Sequence, residues 1–282
     1  MKIGIRSYKR PTHIRSHTLD FLEKSGVSLD NVTVFTPEEQ HSEYKKYIGD
    51  IPIRPAIVGS HKAYESMMNY YDEGEIVMFM DDDLLYSKSS YIEESGEQTD
   101  LHLPKILDYI TEAIENGVPL VGVSRARNAL FSRELKWAYQ CYFTLSGTMF
   151  ALRNDRRLIP KYSHCDDLQI MLNLMKHRIG VPIILNKVMS GFDAGKLSGG
   201  LREAEDRGAE RCKDIIAEYG SDFMYKWFIR EDGKVTKYYD DTECTFFTNI
   251  HGWGKQTKMG VAAQSLNEFE KFWDKPTLEA FF

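Results

Sequence analysis

The chain has 282 residues, 42% of them apolar and 28% charged, with a formal net charge of −6 at pH 7. That length carries one large α/β domain or two small ones, and the composition is ordinary for a soluble globular fold. No stretch approaches the roughly 20 apolar residues of a membrane-spanning helix, and the acidic balance lacks the basic footprint usual in a nucleic-acid binder. Cys141, Cys165, Cys212 and Cys244 are scattered without paired spacing. That argues against a zinc site or a disulfide framework and fits a reducing cytoplasm. The N-terminus passes straight into a strand pattern, so no signal peptide is expected, and nothing points to an obligate protein partner.

In chain order, residues 2–6 read as a first strand. The loop Ser7-Tyr8-Lys9-Arg10-Pro11 follows, and a helix opens at Pro11 and Thr12 and runs to about Lys24. Residues 32–35 form a second strand closed by Thr36-Pro37, and residues 38–47 a polar helix. Residues 53–58 form a third strand in which Pro55 implies either an edge position or a start near Ala56. Ser60 caps a helix to about Tyr71, whose Ala63, Met67, Met68 and Tyr71 recur at helical spacing. Residues 76–80 are continuously apolar, as in a parallel strand buried on both faces. This β-α-β-α-β-α-β order predicts parallel strands with right-handed crossovers.

Residues 86–100, rich in Ser, Glu, Gly and Tyr, predict a loop able to fold over a ligand. A helix over 103–116 ended by Gly117, a strand over 118–123 and a long basic connection over 124–137 come next. Residues 139–145 and 148–152 are strand-like, split by a turn at Ser146-Gly147. A helix over 166–178 carries the stripe Leu168, Met171, Leu172 and Met175 and ends at Gly180, and residues 182–188 form a further strand. Residues 193–213, with Gly195, Gly199, Gly200 and Gly208 among many charges, are a candidate lid. Residues 227–230 and 234–238 flank Asp232-Gly233, a hairpin signal. With no repeat, low-complexity tract or clean linker, residues 1–282 are expected to form one α/β domain.

The chemistry gathers where the central strand ends, at Asp81-Asp82-Asp83. Ligands of open α/β sheets bind beyond the carboxyl ends of strands. Three adjacent carboxylates repel one another unless a cation or an array of donors shares their charge. A divalent metal site and a solvated acidic loop both fit this stretch. Arg6, Arg10 and Lys62 lie near strand ends, where they could meet a nucleotide or diphosphate, and Tyr8 could stack on a base.

Four features recur in one order: Asp81-Asp82-Asp83 after a central strand, the small-residue turn Ser146-Gly147-Thr148, Cys165-Asp166-Asp167 opening a helix, and a late His251. Together they resemble the nucleotide-sugar glycosyltransferases of the GT-A fold, with their Asp-x-Asp metal motif, glycine loop, acidic helix-start motif and C-terminal metal-binding histidine. The opening loop Ser7-Tyr8-Lys9-Arg10-Pro11 is similar to that family's first donor-binding loop. The resemblance covers roughly residues 1–255. The third motif departs from the usual Glu-Asp, and the glycine loop holds a single glycine. More narrowly, the chain resembles the phage enzymes that glycosylate hydroxymethylated bases in DNA, of the type associated with TET/JBP base hydroxylases.

The resemblance implies a GT-A-like, Rossmann-like α/β fold: a mostly parallel central sheet flanked by helices, with a small antiparallel C-terminal portion. It places nucleotide-sugar binding in residues 1–123 and acceptor binding in residues 124–282. Ser7, Tyr8, Arg10, Lys62, Asp81, Asp82 and Gly147 would bind a UDP-sugar. Asp81, Asp83 and His251 would hold Mn²⁺ or Mg²⁺, hard cations that prefer oxygen ligands, and the imidazole would favour Mn²⁺. Inverting transfer needs a base for the acceptor hydroxyl. Asp166 is expected to cap its helix and Asp167 to act as that base.

DNA as acceptor would be met by Arg125, Arg127, Arg133, Lys136 and Trp137, and by Arg153, Arg156, Arg157 and Lys161. The expected reaction moves a sugar from a UDP-sugar to a hydroxymethylated pyrimidine, 5-hydroxymethylcytosine first. A protein, glycan or small-molecule acceptor, or nucleotidyl transfer, fits the same acids.

Overall fold

The first strand forms where alternating Ile3 and Ile5 demand it, as β1 (Lys2–Arg6). The computed structural model of the protein describes residues 1–92, 98–100, 102–124, 138–140, 145–163, 166–177, 179–180, 182–192, 218, 228–231 and 234–237. The expected first helix is built in three pieces: α1 (Pro11–Ile14), a π-helical turn at Arg15–Leu19, and α2 (Asp20–Lys24). Pro11 opens it, since its missing N–H would find no intrahelical acceptor at that position.

β2 (Val32–Thr36) follows, then α3 (His41–Ile48), β3 (Ile53–Pro55), α4 (Ser60–Tyr70) and β4 (Ile76–Asp81). β3 is shorter than the 53–58 strand expected, though it takes the predicted edge position. Ser60 does not cap α4. Gly59, at φ 115°, is the N-cap, and the Ser60 side chain hydrogen-bonds to Asp166.

Beyond β4, the residues expected to loop form β5 (Leu84–Ile92) and β6 (Gln98–Asp100). Their Ser-rich run has no strand pattern of its own. Antiparallel pairing with a distant partner, β10 (Ile183–Phe192), supplies what local propensity lacks. α5 (Leu103–Glu115) is capped by His102, whose Nδ1 accepts from Lys105 N, and Gly117 at φ 98° follows its end. β7 (Leu120–Ser124), β8 (Ala138–Gln140), β9 (Leu145–Arg153) and α6 (Asp166–Lys176) complete the main body. The expected turn at Ser146-Gly147 is therefore absent: both residues lie inside β9, whose Met149–Arg153 stretch pairs with β4 and whose Leu145 and Phe150–Leu152 pair with β7. β11 (Phe228–Glu231) and β12 (Lys234–Lys237) form the antiparallel hairpin signalled by Asp232-Gly233. The candidate lid 193–213, the connection 125–137, Cys165 and His251 lie outside the described residues.

The main sheet runs β3-β2-β1-β4-β9-β7-β10-β5-β6, with β8 also on β10. β9, β5 and β8 run against the other strands, so the sheet is mixed and mostly parallel. One face carries Ile3, Ile5, Val32, Val34, Met78, Met80, Val121 and Val123 in a core shared with Leu22 of α2, Tyr44 of α3 and Ile110 of α5. Burying both faces is what permits the continuous apolar run Ile76–Met80 of β4.

On the opposite face α4 lies directly over β1. Phe79 stacks on Phe150 at 5.4 Å, and Tyr64 packs on both at 5.8 Å. Gly4 is the point of closest approach: an added Cβ would lie 2.8 Å from Met67 Cε and 3.1 Å from Tyr71 Oη. Gly4→Ala should therefore overpack a fully buried contact and cost about 1–3 kcal/mol of stability, read by denaturant unfolding. An unchanged midpoint would show that α4 can lift at no cost.

Candidate active site

β1 and β4 are parallel neighbours in register from Lys2↔Val77 to Arg6↔Asp81, and β2 flanks β1 on its other side. The strand order thus reverses between β1 and β4, at the switch point where the ends of such sheets open a crevice. The two segments leaving these strands, Ser7–Pro11 and Asp82–Leu84, are tied to each other by side chains.

The three consecutive acids meet three different environments. Asp81 Oδ1 accepts from Arg6 Nε at 2.7 Å. Asp82 spends both oxygens inside the protein: Oδ2 accepts from Ser7 Oγ at 2.5 Å and Oδ1 from Arg10 Nη1 at 3.0 Å. Asp83 has only a longer ion pair, 3.5 Å from its Oδ2 to Arg10 Nη1, and its buried Oδ1 has no hydrogen-bond partner. Asp82 and Asp83 are only 5% and 7% exposed. At such burial an acceptor without a donor is costly, so Asp83 Oδ1 is the oxygen with capacity left for a cation. Asp82, with both oxygens bonded inside the protein, is thereby the structural member of the three.

Thr18 holds the acid turn. It is fully buried in the π-helical turn. Its Oγ1 donates to Asp81 O at 2.8 Å and accepts from Leu84 N at 3.0 Å. Those are the two backbone groups that a β-turn over 81–84 would join directly. The extra residue of a π-turn, often found at functional sites, lies where the helix delivers this hydroxyl. The first loop is tied down in turn by Tyr44, whose hydroxyl lies 2.6 Å from Ser7 Oγ and accepts from Arg10 N at 3.0 Å. Sequence reading missed Thr18 and Tyr44, and neither stands in a motif that could have revealed it.

Arg6 joins the end of β4 to the start of α6. Its Nη1 donates to Asp166 Oδ2 at 2.5 Å, beside the Nε bond to Asp81, and its guanidinium lies over the Tyr64 ring at 4.3 Å. Tyr64 Oη donates to Gly147 O at 3.3 Å. Asp167, buried on the first turn of α6, packs against Gly147: a Cβ there would lie 3.4 Å from Asp167 Cβ and 3.5 Å from its Oδ2. Arg6 thus joins Asp81 to Asp166, Asp167 lies beside them against Gly147, and Asp83 pairs with Arg10. Asp166 is occupied by Arg6 and Ser60, which makes it an anchoring acid.

Burial acts against ionisation of Asp166, yet Arg6 and the Ser60 hydroxyl together hold its carboxyl below the usual range. Burial likewise works against the Arg6 charge, and Asp81, Tyr64 and Asp166 outweigh it. Asp82 is raised by burial, with Arg10 and Ser7 opposing. Asp83 is pushed up to about 7, by burial first and then by the adjacent charges of Asp81 and Asp82.

A carboxyl raised in the folded state binds its proton more tightly there than in the unfolded chain. The stability it lends is present below its ordinary value near 3.8 and is lost as pH rises through about 7. The metal-free protein should therefore lose thermal stability across that window, and Asp83→Asn should lose less. Parallel Tm–pH curves for the two proteins would refute the shift.

Other sequence-predicted residues divide differently. Lys62 pairs with Glu65 at 2.6 Å on α4. Tyr8 is covered by the Lys9 ammonium at 5.2 Å, in a loop where Lys9 takes φ 55°. The second basic cluster expected for DNA is committed within the protein. Arg153 caps backbone carbonyls of Gly74 and Ile114, Arg156 lies 3.8 Å from Glu73, Arg157 grips Asp155, and Lys161 lies 2.8 Å from Glu218. Among the described residues no set of three His, Cys, Asp or Glu side chains is gathered for a metal, and no helix is long and apolar enough to cross a membrane.

No protein-family model matches the chain, and no curated protein matches it in sequence. Solved structures match its fold. Residues 1–349 of TarS from S. aureus, in complex with UDP-GlcNAc, align over 78% of this chain and 65% of that one, with 15% identity and a TM-score of 0.52. Glucosyl-3-phosphoglycerate synthase from Mycobacterium tuberculosis, solved with Mn²⁺, UDP and phosphoglyceric acid, aligns over 86% and 87% of the two chains, at 11% identity and a TM-score of 0.47. A mannosyltransferase from Pyrobaculum calidifontis, solved with GDP-Man and Mn²⁺, aligns over 77% and 63%, at 14% identity and a TM-score of 0.47. The TarS likeness bears out the α/β, GT-A-like fold expected from the sequence.

Proposed function

We propose that the chain is a metal-dependent glycosyltransferase that takes its sugar from a UDP-sugar. The observation that carries this reading is the bridge by which Arg6 joins Asp81, at the carboxyl end of a parallel strand and two residues from Asp83, to Asp166 at the opening of α6. TarS, which shares the fold, holds UDP-GlcNAc, and that supports uridine as the nucleoside. Residues 1–123 would bind the donor and residues 124–282 the acceptor.

Asp83 and Asp81 would hold Mn²⁺ or Mg²⁺, with His251 as a further ligand. The orphaned Asp83 Oδ1 and the hard oxygen donors fit such a cation. When bound, the metal would neutralise charge developing on the departing diphosphate. Asp82 stays with Ser7 and Arg10 and fixes the donor loop. Arg10, committed to Asp82 and Asp83, shapes the floor of the site, while Tyr8 and Lys62 remain to meet the nucleotide. Asp167 takes the acceptor hydroxyl's proton in an inverting transfer.

For the acceptor we propose the hydroxymethyl group of a modified pyrimidine in DNA, with 5-hydroxymethylcytosine first. Support comes from the likeness of the opening loop and from Arg125, Arg127, Arg133, Lys136 and Trp137. The cations at 153–161 add none, being paired within the protein. A base in duplex DNA must be extruded to be modified.

The test is incubation of the full chain with hydroxymethylated and plain DNA, Mn²⁺ and a panel of UDP-sugars, followed by mass spectrometry of the digested nucleosides. Free UDP and a hexose or pentose on the modified base are expected. Release of the sugar 1-phosphate, with UMP left on the acceptor, would replace the reading by nucleotidyl transfer. UDP release with only glycan or small-molecule products would replace the acceptor alone.

A further inference from the structure

We infer that Arg6 is a positioning residue: it sets the spacing between the acid end of β4 and the base-bearing first turn of α6. The inference rests on the reaction proposed above and adds a role for a side chain that need touch neither donor nor acceptor. Arg6 is rooted on the central strand of the parallel half of the sheet, paired on both flanks. Its side chain leaves a point that cannot slide.

The guanidinium uses separate nitrogens for separate carboxylates, Nε for Asp81 at 2.7 Å and Nη1 for Asp166 at 2.5 Å. Both acids are largely buried, with side chains 24% and 14% exposed. Without the cation between them two carboxylates would repel and drift apart. The flat face of the guanidinium rests on Tyr64 at 4.3 Å, and Tyr64 in turn reaches Gly147, against which Asp167 packs. One planar cation therefore registers β4, α4, β9 and α6. Lysine could satisfy one carboxylate as a point charge, but it has no fork for two and no plane to lay on the ring. A displacement near 1 Å between base and reacting centre is enough to cost about 100-fold in rate.

Arg6→Met and Arg6→Lys test this in the full chain, with Mn²⁺ and whichever of UDP-glucose, UDP-galactose or UDP-GlcNAc supports UDP release. Arg6→Met should keep the native circular dichroism and lose about 100-fold in kcat with the donor KM little changed. Added guanidinium ion at low concentration should restore part of the rate. Asp167→Asn combined with Arg6→Met should lose no more than Asp167→Asn alone, because the arginine acts through that acid.

Full turnover in Arg6→Met, a loss confined to KM, or losses that multiply in the double variant would each overturn the inference. Should Arg6→Met fail to fold, Arg6→Lys carries the same expectations on kcat, KM and non-additivity. A wild type that releases no UDP overturns the reaction and the inference together. An active wild type with an indifferent Arg6 overturns the inference alone.

Discussion

Asp167→Asn should lower sugar transfer by roughly 10²- to 10⁴-fold, the usual contribution of a general base, with the donor KM and the fold preserved. The reason is the division of labour at the start of α6. Asp166 is held by the Arg6 guanidinium and the Ser60 hydroxyl, below its ordinary range for that reason, so it is poorly suited to collect a proton. Asp167 sits one residue on, buried, with its carboxyl against Gly147 of the central sheet. Asparagine keeps its shape and removes its basicity.

Asp166→Asn should behave differently. It leaves the buried Arg6 short of a partner charge, and breaking a buried pair from one side costs about 3–5 kcal/mol. Its signature is a lowered unfolding midpoint. Initial rates of UDP release and chemical denaturation on both variants distinguish the two acids. Undiminished turnover in Asp167→Asn would remove the base assignment.

The second large effect is expected at Asp83, and its contrast with Asp82 is the sharper test. Asp83→Ala should abolish Mn²⁺ binding in titration calorimetry and with it the turnover, while the metal-free protein becomes more stable near pH 8. Stability rises because the substitution removes a buried carboxylate whose Oδ1 has no donor and whose ionisation is opposed by Asp81 and Asp82. Asp82→Ala should instead destabilise the metal-free fold by about 3–5 kcal/mol, since it strips Arg10 and Ser7 of their shared partner in a buried site. Neighbours in sequence and alike in chemistry, they should differ in sign. If both variants were destabilised alike and both still bound Mn²⁺, the metal role of Asp83 would be lost.

Much of this protein is legible in one dimension. Whether a segment is helix or strand, and which of its faces is buried, follows from a residue's neighbours within a turn or two. The alternating β1, the buried β2, the apolar run of β4, and the α4 stripe of Ala63, Met67 and Met68 therefore fall where their patterns put them. The delivery of acids to the end of a central strand is legible for the same reason. The strand status of residues 84–92 is not, because their pairing comes from β10 about a hundred residues later. Nor is the place of Gly147 inside β9, where a small-residue dipeptide resembles a turn until the residues on either side of it pair with β7 and β4.

By itself the sequence determined most of the elements and the strand end where three carboxylates stand; the strands at 84–92 and 98–100 and the course of β9 through Ser146-Gly147 came from pairing. The tertiary structure alone decided what each carboxylate meets. Asp81 meets Arg6 across 75 positions of chain, and Arg6 meets Asp166 across 160. A charged group's protonation and partner depend on its distance to other charges and on the water removed around it. Both are properties of the packed molecule and leave no periodic trace along the chain.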